Sequence, residues 1–277
     1  MTMMATPTTL SAHPPLSAGH HGPNTFSVPA RHNPRLQMLV ERINADEELR
    51  QWWRSANLMA VERLGLSDHG ETHIRIVANA SLRLLRLLME NGFGTATANQ
   101  AGLSREDAEV VVVLAAALHD IGLAIHYDQH QDFSLPLALE KARQLLANIY
   151  PVRERTILLA ETLHAIATHH TGRRCLTLEA SVLRVADALD MTKGRSRTPA
   201  DHALTVGIEE VTLQRGEQFP VRIQIRMTQA AGVGYAETML RERLHETMLS
   251  GQVEAVASID MSDTVQLITL NLDSRGD

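Results

Sequence analysis

Nine consecutive apolar residues, Val110 to Leu118, run directly into His119-Asp120. A segment this apolar belongs in a helix buried on every side. Burying an imidazole next to a carboxylate at its end is costly unless something compensates. Eight of the fourteen histidines lie between His69 and His170, and a second apolar segment, Val182 to Leu189, carries Asp187. The only cysteine is Cys175. Nitrogen and carboxylate groups gathered on buried helices, without thiolates, predict a hydrolytic metal site.

Composition narrows the alternatives. Hydrophobic residues make up 44% of the 277 and aromatics only 3%, so a sizeable core must be built from Leu, Val, Ala and Met. A net charge of -6 argues against binding along long nucleic acid, while leaving room for a local basic pocket. One cysteine excludes an internal disulfide and fits a reducing compartment. The longest apolar run is too short to cross a membrane, and the N-terminus has no export-type pattern. A cytoplasmic protein without membrane contact is the expectation.

The periodicity predicts a mainly α chain in three parts. Residues 1–34, rich in Pro, Thr, Ser, Gly and His, are expected to form a disordered tail. Residues 35–202 carry helical spacing, with helices predicted over Arg35–Ile43, Asp46–Leu64 and Glu71–Glu90. Ser104-Arg-Glu-Asp107 resembles a capping box that opens the next helix, and Gly122 is expected to end it. Further helices follow over Phe133–Ile149, from Pro151 to the histidines at 169 and 170, and over Thr177–Met191. Residues 203–277 alternate in the order β-β-α-β-β, a small α+β domain that can pair two copies through an edge strand or close over a substrate.

The candidate ligands in the helical part are His69, His73, His119, Asp120, His126, His130, His164, His169, His170 and Asp187. His69 and His73 are four apart, as are His126 and His130, so each pair can share a helix face. His69 reads better as a residue that orients ligands, with Asp68 or Glu71. His164 and His170 are read first as hydrogen-bonded core histidines, and His202 and His245 as surface residues. For Asp187, a metal or Arg184 one turn earlier would supply the missing partner.

These residues resemble the HD superfamily of metal-dependent phosphohydrolases. The resemblance rests on His73 in Thr-His-Ile-Arg-Ile-Val77, His119-Asp120 in Ala-Leu-His-Asp-Ile-Gly122, and Asp187 in Val-Ala-Asp-Ala-Leu-Asp190, over roughly residues 65–200. It implies an HD-type helical bundle ahead of the small domain. The segment Ala-Ile-Ala-Thr-His-His-Thr-Gly-Arg173 is similar to one in HD-type symmetrical diadenosine tetraphosphate hydrolases, with His169 at a ligand position. His130 is the counterpart of a second ligand there. That ligand lies closer to the His-Asp pair here, so His126 stands as an alternative.

The resemblance implies two divalent cations bridged by Asp120. One would be held by His73, His119, Asp120 and Asp187, the other by Asp120, His130 or His126, and His169. Manganese, iron, cobalt, nickel or zinc suits such donors, and magnesium is compatible. The implied activity is hydrolysis of a phosphoester or phosphoanhydride of a nucleotide-type substrate by a metal-activated hydroxide, with His119 and Asp120 catalytic. Lys193, Arg195, Arg197 and Arg173 are the candidates for binding phosphate. The alternative is a non-catalytic module that binds a nucleotide and reports it. A homodimer through residues 203–277 is a further expectation.

Overall fold

The structure is a computed structural model that describes residues 25–193, 195, 203–261 and 264–272. Its centre is α5 (Arg105–Leu118), on which every residue from Asp107 to Leu118 is buried. Around it pack α3 (Glu71–Glu90) and α7 (Val152–Thr168), with α8 (Leu178–Ala188) against all three. A helix without a polar face has no side to give to solvent, so α5 becomes the post for the others.

The ends of the expected helices shift for identifiable reasons. Asp46 separates α1 (Pro34–Ala45) from α2 (Glu47–Asn57), because its carboxylate caps Leu49 N at 2.9 Å. The chain then passes through a π-helical turn, Leu58–Arg63. Gly70 is the N-cap of α3, which leaves His69 outside the helix and separates it from His73. A short α4 (Ala96–Asn99) is capped by the buried Glu179, which accepts from Ala96 N and Thr97 N.

The expected tail is corrected over its last residues. Phe26 is 1% exposed and lies 6.0 Å from Trp53, ring to ring. Asn44 accepts from Phe26 N and donates to its carbonyl, so the segment is held by a backbone-like clamp. Asn33 caps α1. Residues 1–24 lie outside the described residues.

After α5 comes a 3-10 turn, Ile121–Ala124, and then α6 (His130–Leu145), which begins three residues before the expected Phe133. Gln129 adopts a left-handed conformation, φ 58°, that turns the chain into α6. Gly122 does not end a helix by its own conformation. It permits close approach instead: a Cβ there would lie 2.2 Å from His130 O and 2.4 Å from Ser134 N. Ser134 Oγ locks the contact, accepting from Gly122 N at 2.9 Å and donating to His119 O at 2.6 Å. This places the first residue of α6 beside the end of α5.

The expected β-β-α-β-β order is observed. Strands β1 (Ile208–Arg215) and β2 (Val221–Met227) form an antiparallel pair. Helix α9 (Gly232–Leu244) then crosses to β3 (Val253–Met261), which pairs parallel with β2. Strand β4 (Thr264–Thr269) closes the order β1-β2-β3-β4 as an antiparallel edge. Ile223, Ile225, Ala255 and Ala257 are buried together with Ala236 and Leu240 of α9. The sheet is not a separate bead: α3 lies against β1 and β2, α9 lies against α8, and one contiguous core includes both parts. No helix among the described residues is long and apolar enough to cross a membrane.

Candidate metal centre

The C-terminal ends of α5, α7 and α8 converge, and each brings a site residue. His119 is the C-cap of α5 with Asp120 next to it, His169 is the C-cap of α7, and Asp187 lies in the last turn of α8. Helix C-termini carry partial negative charge, so three of them pointing together favour a cation. The first turns of α3 and α6 add His73 and His130.

Four imidazoles are held in one sense. His73 Nδ1 donates to Asp190 Oδ2 at 2.8 Å, and Nδ1 of His119, His130 and His169 donate to the carbonyls of Ala116, Tyr127 and Ile166 at 2.9, 3.0 and 2.7 Å. A carbonyl or a carboxylate only accepts, so each Nδ1 carries a proton, and each ring in its neutral form offers a lone pair at Nε2. Those Nε2 atoms point inward and face one another in pairs. His73 and His119 are 3.3 Å apart at Nε2, as are His130 and His169. Two lone pairs at that distance repel unless one ring takes a second proton or a cation stands between them. The donor arrangement therefore fits a metal, and outward Nδ1 bonds of this kind are how ligating histidines are oriented.

The carboxylates complete both groups. Asp120 Oδ2 lies 3.5 Å from His73 Nε2 and 3.3 Å from His119 Nε2, while its Oδ1 lies 3.2 Å from His130 Nε2 and 3.5 Å from His169 Nε2. One carboxylate thus divides its oxygens between two imidazole pairs. Asp187 Oδ1 lies 3.3 Å from His73 Nε2 and 3.7 Å from His119 Nε2. Among the described residues, groups able to hold an ion comprise His73, His119 and Asp187; His119, Asp120 and His169; and His130, His169 and His170.

The carboxylates favour positive charge on some of these rings and not on others. Burial disfavours the charged form of His119, but Asp120 and Asp187 overcome it and raise the pKa to about 9. His73 is likewise buried, yet bonds to Asp120, Asp187 and Asp190 raise it well above its ordinary value. His130 is raised against burial by Asp120. Burial prevails at His169, which falls to about 4, and at His170, which falls to about 3 with His169 and Arg243 adding to the effect. Burial works against ionised Asp120 and Asp187, but His119 and its neighbours, with Arg243 at Asp187, hold both well below the usual carboxylate range. Protons and metal ions compete for the same nitrogens.

The structure gathers His73, His119, Asp120, His130, His169 and Asp187. His126 stays outside: it is exposed, and its Nδ1 accepts from Asp128 N at 3.0 Å. It precedes the turn at Gln129, so the four-residue spacing to His130 never lies on one helix. His170 is closer to the site than its sequence reading allows, with its ring 4.9 Å from that of His130. His69 packs its ring 5.2 Å from His73 and bonds Ser67 O, while Asp68 bonds Gly70 N. His164 accepts from Leu176 N, and His245 is exposed.

The cations are redistributed. Arg195 makes 2.7 and 2.6 Å bonds to Asp190, the carboxylate that holds His73, so it steadies a candidate ligand instead of lying open to a phosphate. Lys193 pairs with Glu209 and Arg173 with Asp132, both near the solvent. Arg197 and His202 lie outside the described residues. Arg184 does not serve Asp187. It is 1% exposed and donates to the carbonyls of Thr168, Arg173 and His245. Asp187 Oδ2 instead accepts from Arg243 Nη1 of α9 at 2.8 Å. Sequence reasoning missed this residue, because nothing in a polar helix face predicts which distant carboxylate it will meet.

The model of the HD domain family matches residues 71–192, a span that contains every one of the candidate ligands from His73 to Asp187. An uncharacterized protein of Methanocaldococcus jannaschii is 33% identical over 236 residues, 83% of this chain and 91% of that one. The chain belongs to the HD-domain family. HD domains form a superfamily of metal-dependent phosphohydrolases, and the histidine and aspartate groups of this one fit a divalent-metal site. The HD match ends before β1, so Arg243 reaches the centre from outside it.

Proposed function

We propose that this HD-domain protein hydrolyses a phosphoester or phosphoanhydride bond of a small nucleotide-type substrate at a two-metal centre. One observation carries the reading: Asp120 splits its two oxygens between two pairs of inward-facing imidazoles whose outer nitrogens are already committed. His73, His119, Asp187 and Asp120 Oδ2 would hold one cation, and His130, His169 and Asp120 Oδ1 the other, with His170 adjacent. Bound divalent cations would lower the pKa of water and polarise the phosphoryl group. Imidazole with carboxylate suits manganese, iron, cobalt, nickel or zinc.

The protein's own groups do the rest. Asp190, held by Arg195, keeps His73 in the tautomer that leaves Nε2 free. Arg173 and Lys193, 45% and 52% exposed, can exchange Asp132 and Glu209 for phosphate oxygens. Tyr127 stacks on the His130 ring at 6.2 Å and is itself 43% exposed, which offers a nucleobase an aromatic surface at the edge of the centre. Metal analysis of the purified protein, then phosphate release from a panel of nucleotides, dinucleotides and cyclic dinucleotides, tests the reading. Turnover that requires the metal and disappears in Asp120→Ala is expected. Binding without hydrolysis would instead identify a nucleotide sensor, and overturn the enzymatic reading.

A further inference from the structure

The C-terminal β-β-α-β-β unit has an obvious bland role as a packing partner of α3 and α8. One of its side chains goes further. Arg243 Nη1 donates at once to Asp187 Oδ2, at 2.8 Å, and to the carbonyl of His169, at 3.0 Å. Asp187 belongs to the His73–His119 half of the centre and His169 to the half with His130, so the two N–H groups of one nitrogen tie the two halves together. The other oxygen of Asp187, Oδ1, is the one that faces His73 and His119. A carboxylate with one oxygen tied can present only the other, in one direction.

Arg243 is itself held firmly. Its side chain is 14% exposed. The residues just after it are bonded to the α7–α8 region: Glu246 O accepts from Cys175 N at 3.0 Å, Met248 N donates to Ser181 Oγ at 3.0 Å, and His245 O accepts from the buried Arg184 at 3.1 Å. The guanidinium is thus carried next to a strap that cannot move without breaking bonds to the α7–α8 loop and to α8, the helix that bears Asp187. A surface ion pair has no such frame.

Resting on the metal-centre reading above, we propose that Arg243 is a positioning residue. Through it the C-terminal unit sets the direction of Asp187 and the spacing of the two halves, so the centre is complete only when that unit is docked. The alternative, a cation that merely balances charge, makes the opposite prediction for metal affinity. A guanidinium repels a divalent cation, so removing it on charge grounds alone should tighten binding. Removing an orienting partner should loosen it, by about 10–100-fold.

The test is manganese binding to the full-length, metal-stripped protein, by calorimetry and electron spin resonance, for the parent, Arg243→Met and Arg243→Lys. We expect Arg243→Met to weaken binding at least about tenfold and Arg243→Lys to recover most of it, with far-ultraviolet circular dichroism unchanged. Equal or tighter binding by Arg243→Met would overturn the proposal. Should Arg243→Met not fold, Arg243→Gln takes its place under the same threshold. A cycle with Asp187→Asn adds a second check: because Arg243 orients Asp187, its loss should cost less in the Asp187→Asn background than in the parent, and fully additive losses refute the orientation of Asp187 by Arg243. A parent that binds neither manganese nor iron, cobalt, nickel or zinc would instead bring down the metal-centre reading itself, which separates the two failures.

Discussion

The two ends of α5 both bury ionisable groups, and they solve the problem in opposite ways. At the N-terminal end Asp107 accepts from Ser104 N and Oγ, both at 2.9 Å, from Arg35 at 2.9 Å and from Tyr150 OH at 2.7 Å. Glu109 accepts from Arg86 and from Asn33. Every acceptor there has a donor, and the network is closed by protein alone. At the C-terminal end, His119 and Asp120 meet three more imidazoles and Asp187, and nitrogens of like character face each other 3.3 Å apart. The carboxylates at both ends of α5 are buried, so their own burial does not distinguish them. What distinguishes them is whether donors and acceptors match in number. A matched network stabilises the fold, while the unmatched end needs a further proton or a cation to satisfy its inward nitrogens.

The largest effect should come from opening the bridge. Asp120→Ala is expected to lower kcat by at least about 10³-fold, since the residue serves both halves of the centre. Steady-state phosphate release with metal content measured in parallel checks it; parental turnover in that variant would sink the catalytic assignment. Chelation comes next. A cation at 100-fold excess over its dissociation constant stabilises a site by about 2.7 kcal/mol, so stripping metal should lower Tm by roughly 5–10 °C. A thermal scan that does not respond to chelator or manganese would place the two ends of α5 in the same class.

At the closed end the effect is on folding only. Asp107→Asn should cost about 1–3 kcal/mol in denaturant unfolding and leave metal binding intact. Its pH dependence has a defined sign. Burial pushes the Asp107 pKa up, but Tyr150, Ser104 and Arg35 outweigh this and hold it below the usual range. A depressed carboxylate contributes stability that is present above about pH 4 and is lost as pH falls through the lowered value. Unfolding followed below about pH 4 should therefore be steeper in the parent than in Asp107→Asn. The smallest effect belongs to His126→Ala, an exposed site, where stability should change by less than about 0.5 kcal/mol and manganese affinity should not move. A tenfold loss of affinity there would mean that the ligand set is misassigned.

Much of this contrast was legible in the residues. The capping pattern Ser104 to Asp107, the apolar run and the adjacent His-Asp pair identify both ends of α5, because local spacing and hydrophobic period are carried along the chain. The choice between His126 and His130 was not legible, because both satisfy the same spacing rule. The left-handed residue at Gln129 and Gly122 seating against the backbone of α6 put His130, and not His126, beside the other candidates. Phe26 likewise sits in a stretch whose composition reads as disordered, and one ring buried against Trp53 overrides that average.

Sequence alone determined the mainly helical class, the β-β-α-β-β order that follows, and the residue types able to ligate a metal, since period and side-chain chemistry are properties of neighbours along the chain. Tertiary structure decided which of those residues meet, and on which partner each cation is spent. Arg195 went to Asp190, Arg184 to three carbonyls, and Arg243 to Asp187. A charged side chain can satisfy any opposite group within reach, and only the packing of helices distant in sequence brings one particular group there.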